Sequence, residues 1–330
     1  MRPRVALAIL LAGCGSPLED GEWLPGGDTT NTIMLGSNAF LRPAANLTRE
    51  HERAFYSGNS FFNQGWVQAP ASTANRDGLG PLYNATSCSG CHFRDGRAAP
   101  PDDGLAPFVG LLLRLSGPDG EPDPTYGGQL QDIGIDGVPA EASPTITWEE
   151  QPFTYPDGTT VTLLAPTYTL GDGAYGPFAT GIQVSPRVAP HMVGLGLLEA
   201  IPESELLART DPDDADGDGI SGRAQSSERD PGEWVVGRFG WKGEAPTVLH
   251  QSAGAFAGDI GITSRLSPTD DCTEAQPVCL EQPSSGDPEL EDHLLDVTAL
   301  YSRAVAVPVR RDWESDIVLD GRQLFRDVSC

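Results

Sequence analysis

The feature that most constrains this chain is the run Cys88-Ser89-Gly90-Cys91-His92. Two cysteines at positions i and i+3 lie on one side of a helical turn, where both thiols can be joined to the same group. This C-x-x-C-H spacing is the attachment signal of c-type haem, in which the thiols bind the porphyrin and the histidine binds the iron. We therefore predict that Cys88 and Cys91 anchor haem c and that His92 is its proximal ligand.

Two other interpretations of the cysteine pair are weaker. Thioredoxin-like enzymes also carry C-x-x-C, but there the pair follows a buried, β-branched strand, and residues 80–87 (GPLYNATS) make a poor strand. A zinc site would need further cysteine or histidine ligands at matching spacing, and the neighbouring sequence has none. The motif and its context therefore favour haem.

A second copy of the sequence around Cys88 begins at the other end of the chain. Leu82-Tyr83-x-x-x-Ser87-Cys88 recurs as Leu324-Phe325-x-x-x-Ser329-Cys330. We interpret Cys330 as the first cysteine of a second haem-attachment motif, of which this sequence carries only the beginning. The alternative is a terminal cysteine without a partner, which is rare in an exported protein.

The N-terminal residues resemble an export signal. Arg2 and Arg4 precede an eight-residue apolar stretch, which is far shorter than the roughly 20 residues that cross a bilayer. Small residues then precede Cys14, which predicts a lipoprotein signal peptide over 1–14, with an ordinary secretory signal as the alternative. Lipidated Cys14 would anchor the protein at the periplasmic face of a bacterial membrane, or otherwise leave it extracytoplasmic.

The charge balance limits the classes of partner. Acidic residues outnumber basic ones 47 to 21, so the formal net charge is −26. Nucleic acid is excluded as a partner because no basic stripe is present to neutralise phosphates. Attraction to anionic lipid through surface charge is excluded for the same reason.

The chain divides by composition and pattern. We predict a tether over 15–45, a first haem-c domain over 46–295, and the start of a second haem-c domain over 296–330. A helix is expected over 48–62, where Thr48 is a suitable N-cap. Alternation around Pro156-Asp157-Gly158 predicts a small β-hairpin insertion over about 145–170. The rest should consist of helices and long loops, because glycine and proline number 39 and 29.

The strongest helical pattern covers residues 184–207 and includes three candidate functional side chains. Met192 is our leading distal iron ligand and His191 the alternative, since both residue types ligate c-type haems. Core packing explains them about equally well. Glu199 has apolar neighbours that should raise its pKa, and it is therefore a candidate acid–base group for peroxide cleavage.

Other polar and sulfur-containing residues suggest accessory roles. Arg94 and Arg97 follow the motif and suit the planar carboxylates of haem propionates, although a solvated surface position is nearly as plausible. Cys272 and Cys279 are seven residues apart in an acidic loop, which predicts a local disulfide in an exported protein.

An acidic loop over 211–222 places Asp214, Asp216 and Asp218 at alternate positions before a glycine. Oxygen ligands at this spacing are typical of the first half of a calcium loop. Gln225 stands where the last glutamate of an EF-hand would be. A looser calcium site and a solvated loop therefore both remain open.

Several longer blocks carry a family resemblance. They are Gly90-Cys91-His92 with Asp95-Gly96-Arg97, Ala189-Pro190-x-Met192-x-Gly194 continuing to Pro202, the loop 213–222, Phe239-Gly240-Trp241-Lys242, and Ala255-Phe256 continuing to Thr263. In this order, over about residues 45–330, they resemble the bacterial di-haem oxidoreductases, also labelled thiol oxidoreductases and related to di-haem cytochrome c peroxidases. The resemblance implies a mainly α fold with cytochrome c-like domains and two covalent haems.

The resemblance also implies the activity. One haem would pass electrons and the other would meet peroxide or another small oxidant, with electrons supplied by a small redox protein or a quinol-linked chain. We therefore predict an exported c-type haem oxidoreductase with peroxidase-like activity. A non-catalytic electron carrier and, less favoured, a thiol–disulfide oxidoreductase are the alternatives.

Overall fold

The computed structural model describes residues 19–33, 36–73 and 75–328. Within these ranges there are eight α-helices: α1 (Arg49–Asn63), α2 (Cys88–Cys91), α3 (Leu195–Glu199), α4 (Glu203–Leu207), α5 (Val248–Ala255), α6 (Pro277–Leu280), α7 (Asp292–Ala304) and α8 (Asp316–Asp327). A π-helical turn over Phe256–Ile260 extends α5. None of the described helices combines the length and apolar character needed to cross a bilayer.

The described strands form small sheets. They are β1 (Leu82–Tyr83), β2 (Leu111–Ser116), β3 (Ile133–Gly134), β4 (Thr145–Thr154), β5 (Thr160–Thr169), β6 (Gln183–Val188), β7 (Ser226–Asp230) and β8 (Glu233–Val236). Antiparallel pairing joins β1 with β3, β2 with β6, β4 with β5, and β7 with β8. Each sheet has two strands, so the sheets support loops and do not build a central layer.

The prediction of a mainly α-helical fold is wrong. Helices account for 26% of the chain and strands for 20%. Proline lacks an N–H group and disfavours helical backbone in the residue before it, so a chain with 29 prolines and 39 glycines has few positions for long helices.

The segment 184–207 shows this effect most clearly, because the helix predicted there does not form. Its first residues are in β6, which pairs with β2 from Leu111↔Val188 to Ser116↔Gln183. Only the short α3 and α4 follow. Pro186 and Pro190 disfavour helix in the first half, and a proline is tolerated in β6 because a two-stranded sheet has only edge strands.

The long helices α1 and α7 pack together. Thr48 caps α1 as predicted, since its hydroxyl accepts the N–H of His51. The ring of Tyr301 in α7 lies 4.7 Å from that of Phe55 and 5.0 Å from that of Phe62, both in α1. A side chain at Gly58 would place Cβ 2.0 Å from the carbonyl oxygen of Val297. The two helices are therefore in backbone contact at this point.

The hairpin expected at about 145–170 is present as β4 and β5. Its turn follows Tyr155, and the N–H of Thr159 donates to Oδ1 of Asp157 at 2.8 Å. Gly158 has a φ of +89°, a conformation that glycine adopts without strain. Most of the hairpin is exposed, so it projects from the rest of the chain.

The described chain has two larger apolar cores in addition to the α1–α7 contact. The first contains Trp66, Leu82, Phe256, Ile260 and Leu295, with Cys88 packed at its edge. The second lies under the β2–β6 sheet and contains Phe108, Leu111, Leu113, Tyr126 and Ile146.

The described part of the predicted tether packs against the C-terminal region. The N–H of Asn31 donates to the carbonyl oxygen of Val307 at 2.9 Å, and the N–H of Ala306 donates to that of Arg42 at 2.9 Å. Asn31 and Ala39 are buried. The boundary predicted between 295 and 296 falls inside α7.

Candidate haem-attachment site

Backbone hydrogen bonds hold the cysteine segment in place on both sides. The N–H groups of Asn84 and Ala85 donate to the carbonyl oxygen of Asp259 at 2.9 and 3.1 Å. The N–H of His92 donates to the carbonyl oxygen of Cys88 at 2.9 Å, which closes the single turn of α2. Both thiols and the histidine therefore project from one short, fixed turn.

The two thiols are free and protonated. Cys88 and Cys91 are not bonded to each other, and Cys91 is buried. Burial, reinforced by the nearby Asp259 carboxylate, raises the pKa of both thiols to about 12. Thiol–disulfide exchange requires a thiolate, and reactive C-x-x-C pairs have a lowered pKa. These thiols therefore do not suit that chemistry.

The imidazole of His92 is oriented by the backbone. Its Nδ1 lies 2.8 Å from the carbonyl oxygen of Pro190. Because a carbonyl only accepts, Nδ1 must donate, which leaves Nε2 with its lone pair. Burial lowers the pKa of His92, and the hydrogen bond to Pro190 offsets this only partly. A neutral imidazole with an available Nε2 is the form that ligates a metal, and a carbonyl on the other nitrogen fixes its orientation.

Asp95 connects this segment to α7. Its carboxylate is buried and accepts the hydroxyl of Tyr301, with oxygen–oxygen distances of 2.9 and 2.7 Å. Its N–H donates to the carbonyl oxygen of His92 at 2.9 Å. Burial raises the pKa of Asp95 to about 6, although the Tyr301 hydrogen bond acts in the opposite direction. Sequence reasoning missed Tyr301, because no local pattern marks a residue 206 positions from its partner.

The two candidate distal ligands lie beside the Pro190 carbonyl. The N–H of Met192 donates to the carbonyl oxygen of Asp95 at 3.0 Å, and its side chain packs against the Phe55, Phe62 and Tyr301 cluster. His191 is exposed, and its ring lies 5.7 Å from that of Phe40. Their roles as distal iron ligands stay predictions.

Glu199 does not have the raised pKa that we predicted. Its carboxylate forms an ion pair with Arg303 and accepts the N–H of Val248 at 2.8 Å. Burial alone would raise its pKa, but the hydrogen bonds from Arg303 and Val248 outweigh burial and lower it. Glu199 is therefore a charged residue that joins α3, α5 and α7, and not a proton donor near neutral pH.

The two arginines after the motif are exposed. Nη1 of Arg94 donates to the hydroxyl of Ser37 at 2.8 Å, and its guanidinium carbon lies 5.1 Å from the centroid of the Phe93 ring. Arg97 is exposed as well. Their role toward propionates stays a prediction.

A family comparison agrees with the resemblance drawn from the sequence. A family model described as "Di-haem oxidoreductase, putative peroxidase" matches residues 23–108 and 121–330. The chain belongs to this family. Comparison with curated proteins and with solved structures gave no match.

Membership of the di-haem family implies haem, and the residues at Cys88–His92 fit its attachment. Two unbonded thiols occupy one helical turn, and the adjacent imidazole has its Nδ1 bound to a carbonyl. Nε2 has no hydrogen-bond partner in the part of the chain that the structure describes. This donor set matches two thioether bonds and one axial ligand. Cys330, the predicted start of the second motif, lies outside the described residues.

The acidic loop brings a different carboxylate set together from the one we predicted. Oxygen atoms of Asp211, Asp214 and Asp216 lie within 4.8 Å of one another. Asp218 is not in this group, and its Oδ1 accepts the N–H of Ile220 at 2.8 Å. Exposed carboxylates cluster without a metal in many proteins, so calcium binding here stays a prediction.

The remaining cysteines are a bonded pair and Cys14. Cys272 and Cys279 form a disulfide, with Cα atoms 5.9 Å apart. Cys14, the predicted lipidation site, lies outside the described residues.

Proposed function

We propose that this protein is an exported c-type haem oxidoreductase that receives electrons one at a time and reduces peroxide or a similar small oxidant. Family membership supports the haem and the oxidoreductase class. The observation that carries the proposal for this chain is the hydrogen bond from Nδ1 of His92 to the carbonyl oxygen of Pro190. It prepares Nε2 to bind iron beside two free thiols.

The residues that would hold the haem have separate roles. Each thiol, Cys88 and Cys91, would add across one vinyl group, so that sulfur bonds to one carbon and the thiol hydrogen goes to the other. The Nε2 lone pair of His92 would bind the iron, while Pro190 retains the Nδ1 proton and so keeps the imidazole in one tautomer. Bound haem supplies an iron that changes oxidation state by one electron.

The protein must also manage protons, since reduction of one peroxide to two waters uses two electrons and two protons. The lowered pKa of Glu199 argues against it as the donor of either proton. We propose instead that solvent supplies them, because Phe93 and Arg94, which directly follow His92, are exposed to water.

Location and partners complete the proposal. The signal-like N-terminus and the Cys272–Cys279 disulfide support an oxidising compartment outside the cytoplasm, with Cys14 as the membrane anchor. A small redox protein or a quinol-linked chain would supply electrons. Calcium at the Asp211, Asp214 and Asp216 group is an additional proposal.

Haem attachment is tested with two matched pairs of cysteine variants in the protein matured with haem. We expect Cys88→Ser with Cys91→Ser to lose the pigment that survives acid–acetone extraction, and Cys272→Ser with Cys279→Ser to retain it. Pigment that persists in the first pair would contradict the assignment.

The oxidant is tested by stopped-flow oxidation of the reduced haem-loaded protein with hydrogen peroxide. We expect turnover well above that of free haem at the same concentration. Rapid electron exchange with a donor combined with peroxide turnover no faster than free haem would leave a non-catalytic electron carrier as the function.

A further inference from the structure

A second site lies away from the cysteine segment. A cavity of about 440 Å³ opens between residues 198–210, which include α4, and residues 222–225 and 236–243, which flank β7 and β8. Cavities that hold small molecules have volumes of about 300–1,000 Å³. No role proposed above uses this cavity.

The charge of the cavity is opposite to that of the chain. Its lining includes four cations and no acidic side chain: Arg209, Arg223, Arg238 and Lys242. Acidic residues outnumber basic ones 47 to 21 overall, and Lys242 is the one lysine of the sequence. Composition alone would not place four cations together, so the lining of this cavity concentrates positively charged side chains.

The acidic loop beside the cavity does not neutralise these cations directly. Asp211 pairs through its backbone with Gly222, and its carboxylate accepts the N–H of Ala215 at 2.9 Å. No ion pair joins any aspartate of this loop to Arg209 or Arg223 within the described ranges. The loop carboxylates are therefore engaged by their own backbone.

Two of the four cations have structural partners. Nη1 of Arg238 donates to the carbonyl oxygens of Leu198 and Glu199 at 3.2 Å, where α3 ends. Nη2 of Arg223 donates to the carbonyl oxygen of Pro212 at 2.7 Å. By contrast, the side chains of Arg209 and Lys242 have no hydrogen-bond or ion-pair partner among the described residues. These two are available to a ligand.

The rest of the cavity wall is largely apolar. Leu198, Ile201, Leu206 and Val236 all line it, and Leu198 is 51% exposed to solvent. A small hydrated anion would gain nothing from such a wall, whereas an apolar body would remove it from water. The lining therefore favours a ligand with a charged end and an apolar end.

We propose that this cavity binds an organic anion in which a carboxylate is carried on an apolar body. The carboxylate lies between Arg209 and Lys242, and the apolar body covers Leu198, Ile201 and Leu206. This site is separate from peroxide reduction and stands whether or not that function is correct.

The test is isothermal titration calorimetry of the haem-loaded, full-length protein with octanoate, acetate and inorganic phosphate. We expect saturable binding of octanoate, and binding of acetate and phosphate weaker by about tenfold or more, because they lack the apolar body. Affinity for octanoate should fall as salt is added, because charge attraction at an open site is screened.

Matched variants identify the cations involved. Arg209→Gln with Lys242→Gln should weaken octanoate binding by about tenfold or more, since two charge-assisted hydrogen bonds are lost. Arg53→Gln, an exposed arginine on α1, is the control and should bind octanoate normally. Absence of octanoate binding, or equal weakening in the control, overturns the proposal.

The same carboxylate chemistry could come from the propionates of bound haem. In that case the double variant would shift the midpoint potential of the haem while octanoate produces no heat. That combination would assign the cations to haem and overturn a site for a free acid.

Discussion

A single buried carboxyl group, that of Glu141, gives the fold a dependence on pH. It is 1% exposed, and it accepts the N–H of Gln131 at 2.6 Å and the side-chain amide of Gln276. Burial raises its pKa to about 8, although both hydrogen bonds act in the opposite direction. In the folded protein this group therefore holds its proton at pH values where the unfolded chain has released it.

The sign of the pH effect follows from proton binding. Between the ordinary pKa of 4.5 and about 8, the folded state binds more protons than the unfolded state, so the free energy of unfolding falls as pH rises. The contribution of Glu141 is fully present below pH 4.5 and is lost as pH passes 8. We expect Glu141→Gln to reduce this slope by up to about 1.4 kcal/mol per pH unit.

Urea unfolding at a series of pH values measures that slope. Glu149→Gln, on the exposed strand β4, is the matched control and should retain the slope of the unchanged protein. If the free energy of unfolding depends on pH equally in Glu141→Gln and in the unchanged protein, the Glu141 carboxyl group does not remain protonated in the folded state.

Functional residues differ in how far sequence could predict them. Cys88, Cys91 and His92 are contiguous, so their spacing alone indicates their chemistry. Glu199 looked like an acid–base group because its sequence neighbours are apolar. Its partner Arg303 is 104 positions away, and that contact lowers the pKa in the fold.

At the scale of elements, the contact between α1 and α7 depends on a glycine. Alanine is about 1 kcal/mol more favourable than glycine inside a helix, so propensity alone predicts that Gly58→Ala stabilises α1. The added Cβ would lie 2.0 Å from the carbonyl oxygen of Val297 and 2.8 Å from Cβ of Tyr301. We expect Gly58→Ala to destabilise the protein by about 1–3 kcal/mol, because the helices must separate.

Gly254→Ala in α5 is the matched control, since nothing lies within 4 Å of a Cβ there. It should raise the free energy of unfolding slightly. Urea denaturation of both variants gives the comparison, and equal changes in the two would mean that backbone approach at Gly58 is unimportant.

Elements stabilised by neighbours in sequence were predictable. The capped helix α1 and the β4–β5 hairpin both depend on short-range signals, a threonine N-cap and a Pro-Asp-Gly turn. The β2–β6 pair was not predictable from sequence, because β6 is stabilised by a strand that is distant in the chain. The apolar pattern of β6 and the residues after it also resembles that of a helix.

At the scale of the whole molecule, the N-terminal segment is held to the C-terminal helix by charge. Glu22 pairs with Arg310 and Arg322, and the side chains of Glu22 and Arg322 are only 9% and 7% exposed. We expect Glu22→Gln to lower the free energy of unfolding by about 3 kcal/mol, because it leaves two arginines without their shared carboxylate.

Glu19→Gln removes a neighbouring pair with Arg326, in which both side chains are about half exposed, and a longer contact of 3.9 Å with Arg322. It should have a much smaller effect, because solvent screens such pairs. Thermal unfolding of the two variants under identical salt makes the comparison. A loss for Glu19→Gln as large as that for Glu22→Gln would contradict the role of burial.

The sequence by itself determined the features that depend on adjacent residues: the cysteine–histidine motif, the capped helix, the hairpin turn and the family. The tertiary structure alone decided which carbonyl orients His92, which hydroxyl binds Asp95, and that Arg303 neutralises Glu199. Those partners are 98, 206 and 104 positions apart. Local patterns arise from the geometry of one turn of backbone, whereas the environment of a buried charge depends on every segment packed around it.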